Sequence, residues 1–336
     1  MKVLLVKLTS MGDVIHALPA ISDAIKVNPS LRFDWMVEDA FVEIPRWHSA
    51  VEQVIPVATR RWRKQLWDSR QEIKRAYRQI NSQKYDVVID AQGLLKSAVF
   101  SRLAKGPVHG FDRRSSREPI SGFCYHKKHS VSPQQHAILR VRTLFAESLG
   151  YPVPTSEPDY QVCAQQLKDV LDVRRFAAPK KPYLVFLHGT TWLSKHWPEQ
   201  SWQELSIAVE QGDFSVYLPW GNAVERDRAE RIAEGKSHVH VLPKMGLTEL
   251  ALLLDEATGV VAVDTGLGHL SAALGRPTVS IYGPTNTQLI GTVGENQRHL
   301  IAQPATSNVR VSKHDSFDYA TVSADVVWQA LSQLLD

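Results

Sequence analysis

Three groups of polar residues directly follow apolar runs of the sequence, and each holds side chains that could bind an anion or move a proton. In residues 263–274, an apolar run ends at Asp264, and Thr265 and Gly266 then open a helical pattern. Backbone N–H groups at Thr265 and Gly266 would point at a bound anion, which the helix dipole would favour. Asp264 is placed to accept hydrogen bonds from hydroxyl groups. The structural alternative is that Asp264 or Thr265 only caps the helix and that His269 lies on the surface.

The second group lies in residues 186–198 and contains Thr190, Thr191 and Lys195. Two adjacent hydroxyls and one ammonium could hold a diphosphate through neutral donors and a point charge. Lys195 taken alone is explained equally well as an ordinary surface lysine. Two weaker features follow later apolar runs: Glu225, whose carboxylate could bridge ribose hydroxyls, and Met245, which could pack on a flat base. Either one alone is more typical of a structural loop.

The third group, in residues 7–16, centres on Gly12 and Asp13 at the first predicted turn from strand to helix. A carboxylate at this position could accept a proton from an attacking hydroxyl, although Asp13 could also simply cap the helix. No further Asp or Glu flanks it in the manner of a hydrolase, and the sequence has no GxSxG motif. A P-loop and a GxGxxG motif after the first strand are also absent. Nucleotide triphosphate hydrolysis and nicotinamide redox chemistry therefore lose support.

Charge is distributed unevenly along the chain, whose formal net charge is +4. Residues 1–150 carry 24 Lys and Arg against 14 Asp and Glu, whereas residues 151–336 carry 15 against 21. The basic residues of the first half cluster at 60–64, at 113–117 and at 126–129. A basic half with an interleaved tryptophan predicts a polyanionic partner, namely nucleic acid, anionic lipid headgroups or a phosphorylated glycan. A solvated basic face without a partner is the alternative.

Length and composition place the chain among soluble proteins of about two domains, since it has 336 residues, of which 43% are hydrophobic and 22% charged. Cys124 and Cys163 form no CxxC pair, so we expect neither a structural zinc site nor an oxidising compartment. No run approaches the roughly 18 apolar residues of a membrane-spanning helix, and the first residues do not form a signal peptide. These features predict a cytoplasmic protein with no transmembrane segment.

The elements that must position these groups are strands alternating with helices. The predicted strands are 3–6, 33–38, 54–57, 85–90, 183–188, 215–218, 239–242, 259–263 and 278–282. This alternation indicates an α/β fold of doubly wound parallel sheets, and its restart after residue 150 predicts two Rossmann-like domains facing a cleft. Ligands in such sheets bind beyond the carboxyl ends of the strands. The predicted divisions are 1–165, 166–320 and a C-terminal helix, 321–336, that could pack back on the first domain.

Ten short stretches, in order over residues 1 to about 290, resemble the ADP-heptose:lipopolysaccharide heptosyltransferases of glycosyltransferase family 9. They are SMGD (10–13), FDW (33–35), VIPV (54–57), RRWRK (60–64), IDAQGL (89–94), REP (117–119), KHWP (195–198), LPKM (242–245), DTGL (264–267) and YGPT (282–285). Their collinearity is far more specific than any one of them. The RRWRK run favours the enzymes that add the first heptose over their relatives.

The resemblance implies a GT-B fold and an inverting transfer that uses neither metal nor another cofactor. The donor would be ADP-L-glycero-D-manno-heptose, and the acceptor would be the first Kdo sugar of Kdo2-lipid A in the lipopolysaccharide inner core. The protein would then be peripheral, bound to the anionic membrane surface at the cytoplasmic face of the inner membrane. Nucleic acid is not expected as a partner. The first domain would bind the acceptor and the second the ADP-sugar.

The same resemblance implies roles for individual residues. Asp13 would be the general base that deprotonates the Kdo hydroxyl. The diphosphate of the donor would be bound by Thr190, Thr191, Lys195, Thr265 and Gly266. Glu225 would contact the ribose, and Met245 would contact the adenine. Asp264 and His269 would contact the heptose. The phosphates and carboxylates of the acceptor would meet Arg60, Arg61, Arg63, Lys64 and Arg117.

Two other functions stay open from the sequence. Another sugar-nucleotide enzyme of this architecture, either a different heptosyltransferase or an epimerase, would share the donor site, and an epimerase would form product from the donor alone. A nucleic-acid-binding protein would use the basic half and show salt-dependent binding. The predicted anion site of the second half would then have no function.

Overall fold

The computed structural model describes residues 1–162, 164–170, 182–304 and 317–336, and Cys163 and the segments 171–181 and 305–316 lie outside that description. The chain divides into two compact units, Met1–Val162 (unit 1) and Cys163–Asp336 (unit 2). The division falls close to the boundary predicted after residue 165.

The centre of unit 1 is a six-stranded parallel sheet. Its strands are β1 (Lys2–Val6), β2 (Arg32–Glu38), β3 (Val51–Val57), β4 (Val87–Asp90), β5 (Val108–Phe111) and β6 (Lys127–His129). They lie in the order β3-β2-β1-β4-β5-β6, with Leu5 of β1 beside Trp35 of β2 and Ile89 of β4. The order reverses between β1 and β4, which is the switch point where such sheets bind ligands.

Seven helices of unit 1 connect these strands. They are α1 (Met11–Ile15), α2 (Leu18–Val27), α3 (Glu43–Arg46), α4 (Thr59–Lys64), α5 (Arg70–Ile80), α6 (Leu95–Leu103) and α7 (Ala137–Leu149). The helical pattern that follows Asp13 is divided between α1 and α2, and Pro19 lies in the first turn of α2, where a proline costs no helical hydrogen bond.

Unit 2 repeats the architecture. Its strands are β7 (Tyr183–Leu187), β8 (Ser215–Leu218), β9 (Val239–Val241), β10 (Gly259–Val263), β11 (Thr278–Tyr282) and β12 (Gln297–Ile301), in the order β12-β11-β10-β7-β8-β9, with a small pair formed by β13 (Gln303–Pro304) and β14 (Phe317–Asp318). Its helices are α8 (Ala164–Val170), α9 (Glu199–Glu210), α10 (Ala223–Ala233), α11 (Leu247–Asp255), α12 (Gly266–Ala273), α13 (Thr287–Ile290) and α14 (Ala324–Leu335). The predicted α/β class with two Rossmann-like sheets is confirmed.

All nine predicted strands are present. Three further strands of the two six-stranded sheets, β5, β6 and β12, and the two short strands β13 and β14 were not predicted. Strands β6 and β12 lie at sheet edges and are polar and partly exposed, because only one neighbour covers an edge strand. Strand β5 is four residues long and contains a histidine and a glycine. Short or polar strands of this kind lack the apolar run from which the others were predicted.

The C-terminal helix α14 packs in the core of unit 2. It lies against α9 and strands β10 to β12. Val327 and Leu331 are fully buried in the core of unit 2, and Trp328 meets Phe214 edge to face. The apolar face of α14 thus completes the core of unit 2. Among the described residues, no helix is long and apolar enough to cross a bilayer.

Candidate functional site

The first site residue, Asp13, lies in the first turn of α1 at the carboxyl end of β1. The backbone N–H and the hydroxyl of Ser10 both donate to its Oδ2, at 2.8 and 3.0 Å. Its Oδ1 is 3.4 Å from the ammonium of Lys7, and the carboxylate side chain is 31% exposed. Asp13 therefore supports the start of its helix, as the capping alternative expects, while one oxygen stays open for chemistry.

The Asp13 turn is fixed to the neighbouring strand β4. The side-chain oxygen of Gln92 accepts hydrogen bonds from the N–H groups of Leu8 and Thr9, at 3.0 and 3.1 Å. The Lys7 ammonium donates to the carbonyl of Ala91 at 3.0 Å. These bonds hold the loop that precedes α1 against the carboxyl end of β4, so the position of Asp13 is set by two strands.

A buried carboxylate holds Gln92 in turn. Asp90 accepts bonds from the N–H groups of Gln92 and Gly93 and from the hydroxyls of Ser97 and Tyr125, at 2.9 to 3.2 Å. Gly93 has a φ of +67°, a conformation that favours glycine. Burial raises the pKa of Asp90. Its four hydrogen bonds give it a structural role behind the site.

Asp13 is held ionised. Burial alone would raise its pKa, but the charge of Lys7, the bonds from Ser10 and the charge of His16 outweigh burial and lower the pKa to about 2. The carboxylate is therefore a proton acceptor throughout the neutral range. It is a weak base until a reacting hydroxyl becomes acidic.

The second carboxylate, Asp264, follows β10 in unit 2 and connects three loops. Its Oδ2 is 2.7 Å from the Lys195 ammonium and accepts a hydrogen bond from the hydroxyl of Thr285. The hydroxyl of Thr190 donates to the backbone carbonyl of Asp264 at 2.9 Å. The Asp264 side chain is only 9% exposed. The structure thus brings together Thr190, Lys195 and Asp264, which the sequence had assigned to the diphosphate and to hydroxyl groups of the donor.

Helix α12 begins directly after Asp264. Thr265 occupies the N-cap position with an extended backbone, and its side chain makes no capping hydrogen bond in the described part of the chain. The purely structural explanation of Thr265 as a side-chain cap is therefore wrong. The first amides of α12, from Gly266 onward, lie at the helix start, where backbone N–H groups can bind an anion. His269 lies on the same helix and is buried, so its alternative placement on the surface is also wrong.

The remaining predicted donor residues lie on separate loops of unit 2. The Glu225 carboxylate accepts from the N–H of Gly221 and the amide of Asn222, at 2.7 and 2.8 Å. It covers Gly189 so closely that a Cβ there would lie 2.8 Å from its carboxyl carbon. Met245 is half-buried in the loop between β9 and α11, and Thr191 is exposed. Glu225 is thus joined to the loop after β7, close in sequence to Thr190.

The predicted acceptor residues lie on the surface of unit 1, but one is already occupied. Arg60, Arg63, Lys64 and Arg117 are exposed. The Arg61 guanidinium instead bridges Asp39 and Glu72, at 2.9 and 2.8 Å. Since Trp62 is buried beside it and donates to Glu72, Arg61 helps to attach α4 to α5.

Three functional neighbours were missed by sequence reasoning: Lys7, Gln92 and Thr285. Lys7 ends an apolar run one loop before Asp13, which is a detectable signal for a buried cation beside it. Gln92 and Thr285 lie in stretches that carry the family resemblance, yet nothing local to either indicates its partner. Among the described residues, no cluster of His, Cys, Asp and Glu could hold a metal ion.

The chain is similar to known proteins over most of its length. A family model described as glycosyltransferase family 9 (heptosyltransferase) matches residues 73–320. Lipopolysaccharide heptosyltransferase 1 of Pseudomonas aeruginosa is 52% identical over 303 residues, covering 89% of this chain and 83% of that protein. The protein of the same name from Escherichia coli K12 is 48% identical over 300 residues, covering 88% and 92%.

Solved structures extend the likeness to the fold. E. coli heptosyltransferase WaaC with ADP is 44% identical and has a TM-score of 0.89, covering 99% of this chain and all of that one. WaaC with ADP-2-deoxy-2-fluoro heptose is 43% identical with a TM-score of 0.85, covering 99% of each chain. These matches confirm the GT-B fold class. The chain therefore belongs to glycosyltransferase family 9, the heptosyltransferases.

Proposed function

We propose that this enzyme transfers L-glycero-D-manno-heptose from ADP-heptose to the first Kdo sugar of Kdo2-lipid A, in the synthesis of the lipopolysaccharide inner core. The relatives that are about half identical over most of their length are named lipopolysaccharide heptosyltransferase 1. A close structural neighbour was solved with a fluorinated ADP-heptose. The observation that carries the proposal is that one chain combines two features. Unit 1 has the ionised and partly exposed carboxylate of Asp13, and unit 2 has Lys195 beside the start of α12, where a diphosphate could bind.

In the reaction, Asp13 receives the proton. A Kdo hydroxyl attacks the anomeric carbon of the heptose, the bond to the ADP oxygen breaks on the opposite face, and the configuration inverts. With a pKa of about 2, Asp13 takes the proton late, once the new bond has made the hydroxyl oxygen acidic. Its Oδ1 is the oxygen for this step, because Ser10 occupies Oδ2.

The leaving ADP is stabilised in unit 2. As the anomeric carbon–oxygen bond breaks, negative charge grows on the diphosphate, and preorganised donors aimed at it lower the barrier. The Lys195 ammonium has three protons and can serve Asp264 and a phosphate together. The hydroxyl of Thr191 and the amides of Thr265 and Gly266 at the start of α12 would supply the neutral donors. The hydroxyl of Thr190 would join them by leaving the carbonyl of Asp264.

The other donor contacts follow from the loop positions. Glu225 would accept from the ribose hydroxyls, and Met245 would pack on the adenine. Asp264 and His269 would contact the heptose. Because Lys195 and Thr285 both contact Oδ2 of Asp264, its Oδ1 would accept from the heptose.

The acceptor is anionic and suits the exposed cations of unit 1. Arg60, Arg63, Lys64 and Arg117 would pair with its phosphates and carboxylates. Arg61 would join them only by leaving Asp39 or Glu72. We further propose that transfer needs no metal, because Lys195 and the α12 amides supply the stabilisation of the leaving group, and that the enzyme works at the cytoplasmic face of the inner membrane.

Mass spectrometry of the reaction products tests the proposal. Purified enzyme, ADP-heptose and detergent-dispersed Kdo2-lipid A, with a chelator present, should give an acceptor heavier by one heptosyl residue together with free ADP. A parallel reaction without the acceptor should give no new sugar nucleotide. Product from the donor alone would indicate an epimerase, and loss of product in chelator would contradict metal-independent transfer.

A further inference from the structure

Helix α6 of unit 1 leaves a row of large apolar residues on the surface. Its side facing the core consists of the small residues Ser97, Ala98 and Ser101, all fully buried, and of Phe100, which packs against the core. Three other large apolar residues, spaced by four along the helix, are 41 to 49% exposed: Leu95, Val99 and Leu103. A surface helix ordinarily buries its apolar residues, so this row of α6 is unusually exposed.

A neighbouring segment extends this exposed surface. The Pro119–Cys124 turn exposes Ile120 and Phe123, by 55 and 71%. It is bonded to the start of α6, because the N–H of Leu95 donates to the Glu118 carboxylate at 2.7 Å and the N–H of Glu118 donates to the carbonyl of Gly93 at 3.0 Å. The apolar face is defined here as Leu95, Val99, Leu103, Ile120 and Phe123.

Cations lie on the segments that form the apolar face and next to them in the chain. The Arg113 guanidinium lies 5.4 Å from the ring centroid of Phe123, and Arg102 projects from α6 itself to His126 at 2.7 Å. The exposed cations carried by α6 and by the chain on either side of the Pro119–Cys124 turn are Arg102, Arg113, Arg114, Arg117, Lys127 and Lys128. The acidic groups of the same region are Glu118, which caps α6, and Asp112, which accepts bonds within its own loop. The exposed apolar residues are thus carried by segments rich in positive charge.

We propose that the apolar face docks on an anionic lipid bilayer, with its side chains among the headgroups and the surrounding cations on lipid phosphates. Apolar insertion and electrostatic attraction are the two contributions that hold a peripheral protein at such a surface. A second copy of this chain fits less well, because a twofold contact would bring the same cations together. The bilayer satisfies both parts of the surface at once.

The docking surface is directly connected to the site. The chain passes from Gln92, which holds the loop before Asp13, through Gly93 into α6. An acceptor anchored in the bilayer would therefore be presented close to the turn that carries the base. In this respect the inference rests on the proposed function and adds to it the surface by which the enzyme reaches its lipid.

Vesicle sedimentation tests the docking surface without any need for catalysis. The full-length enzyme is mixed with vesicles of phosphatidylglycerol and phosphatidylcholine, or of phosphatidylcholine alone. The double variant Val99→Gln, Phe123→Gln should bind the anionic vesicles at least about tenfold more weakly than wild type. The matched variant Ile207→Gln, Val224→Gln, which replaces exposed apolar residues of α9 and α10 in unit 2, should bind like wild type.

Three results would overturn the inference: wild type that does not sediment with anionic vesicles, equal binding by both double variants, or a wild-type dimer that the Val99 and Phe123 changes dissociate. Thermal unfolding of both variants confirms that they are folded. Turnover on a detergent-dispersed acceptor should be unchanged in the α6 variant. If wild type forms no heptosyl product in detergent, the proposed function fails while the vesicle result still stands.

Discussion

Two turns of the molecule each place a carboxylate beside a lysine at the end of a strand, but they hold that carboxylate differently. One carries Asp13 in unit 1, and the other carries Asp264 in unit 2. Both follow the end of a buried strand, and both place a lysine beside the carboxylate, at 3.4 Å for Lys7 and 2.7 Å for Lys195. Asp13 is held by its own turn and stays open. Asp264 is nearly buried and is held by residues from two other loops.

The difference indicates that Asp13 takes part in proton transfer, whereas Asp264 positions the loops around it. A carboxylate fixed by local bonds keeps its position while one oxygen meets a substrate, as a base requires. A carboxylate shared among loops instead sets where those loops lie, and Asp264 positions Lys195 and Thr285. Four substitutions, in order of decreasing expected effect, test this division.

Replacing Asp13 with Asn should have the largest effect on rate. The amide keeps the shape and can still bond within its turn, but it cannot take the proton, so kcat should fall by roughly 10²–10⁴. ADP affinity, measured by calorimetry, should stay at the wild-type value because the donor residues belong to unit 2. An equal loss of ADP affinity and of kcat would show that the Asp13 turn also helps to form the donor site.

Replacing Lys195 with Met should weaken donor use. Losing a charged hydrogen bond to the diphosphate costs about 1.5–3 kcal/mol, so kcat/KM for ADP-heptose should fall by roughly 10–100-fold. It also leaves Asp264 without its cation. The change Lys84→Met, at an exposed lysine of unit 1, serves as the control. Unaltered kcat/KM at Lys195→Met would mean that the Lys195–Asp264 pair is only structural.

Replacing Lys7 with Met should change the pH dependence of catalysis. Without the ammonium, the pKa of Asp13 should rise from about 2, since burial then opposes ionisation with less compensation. The acidic limb of kcat/KM due to this group should move up with it. In wild type, the lowered pKa of Asp13 adds to the free energy of unfolding above pH 3.8, and this contribution is lost as the pH falls toward 2. The contribution should be smaller in the variant. A pH profile that superimposes on wild type would refute the coupling.

Replacing Thr285 with Val should have the smallest effect. It removes one hydroxyl bond to Asp264 at nearly constant volume, which costs about 1 kcal/mol in the free energy of unfolding. We expect a several-fold rise in KM for the donor and no change in the pH profile. Chemical denaturation and steady-state kinetics measure both. A large loss of kcat with unchanged KM would place Thr285 in the chemical step instead.

Much of the fold was predictable because the central strands are apolar runs that end at recognisable turns. Strands β8, β10 and β11 have the bounds that the sequence predicted, and the helix at 324–335 is also present. The edge strands β6 and β12 were not predictable, since they are largely polar, whereas the edge strands β3 and β9 contain apolar runs and were predicted. The site residues at strand ends were found for the same reason as the strands: parallel strands end at one edge of the sheet.

Local patterns in the sequence were enough to predict which residues stand at strand ends and what chemistry they carry, because apolar periodicity and turn chemistry act over a few residues. Which groups meet across the chain depends on three-dimensional packing: Lys7 with Asp13 and Ala91, Lys195 and Thr285 with Asp264, and Arg61 with acidic residues of its own unit. It also decided which side of α6 is buried. Such contacts depend on strand register and loop packing over long separations, which no local pattern encodes.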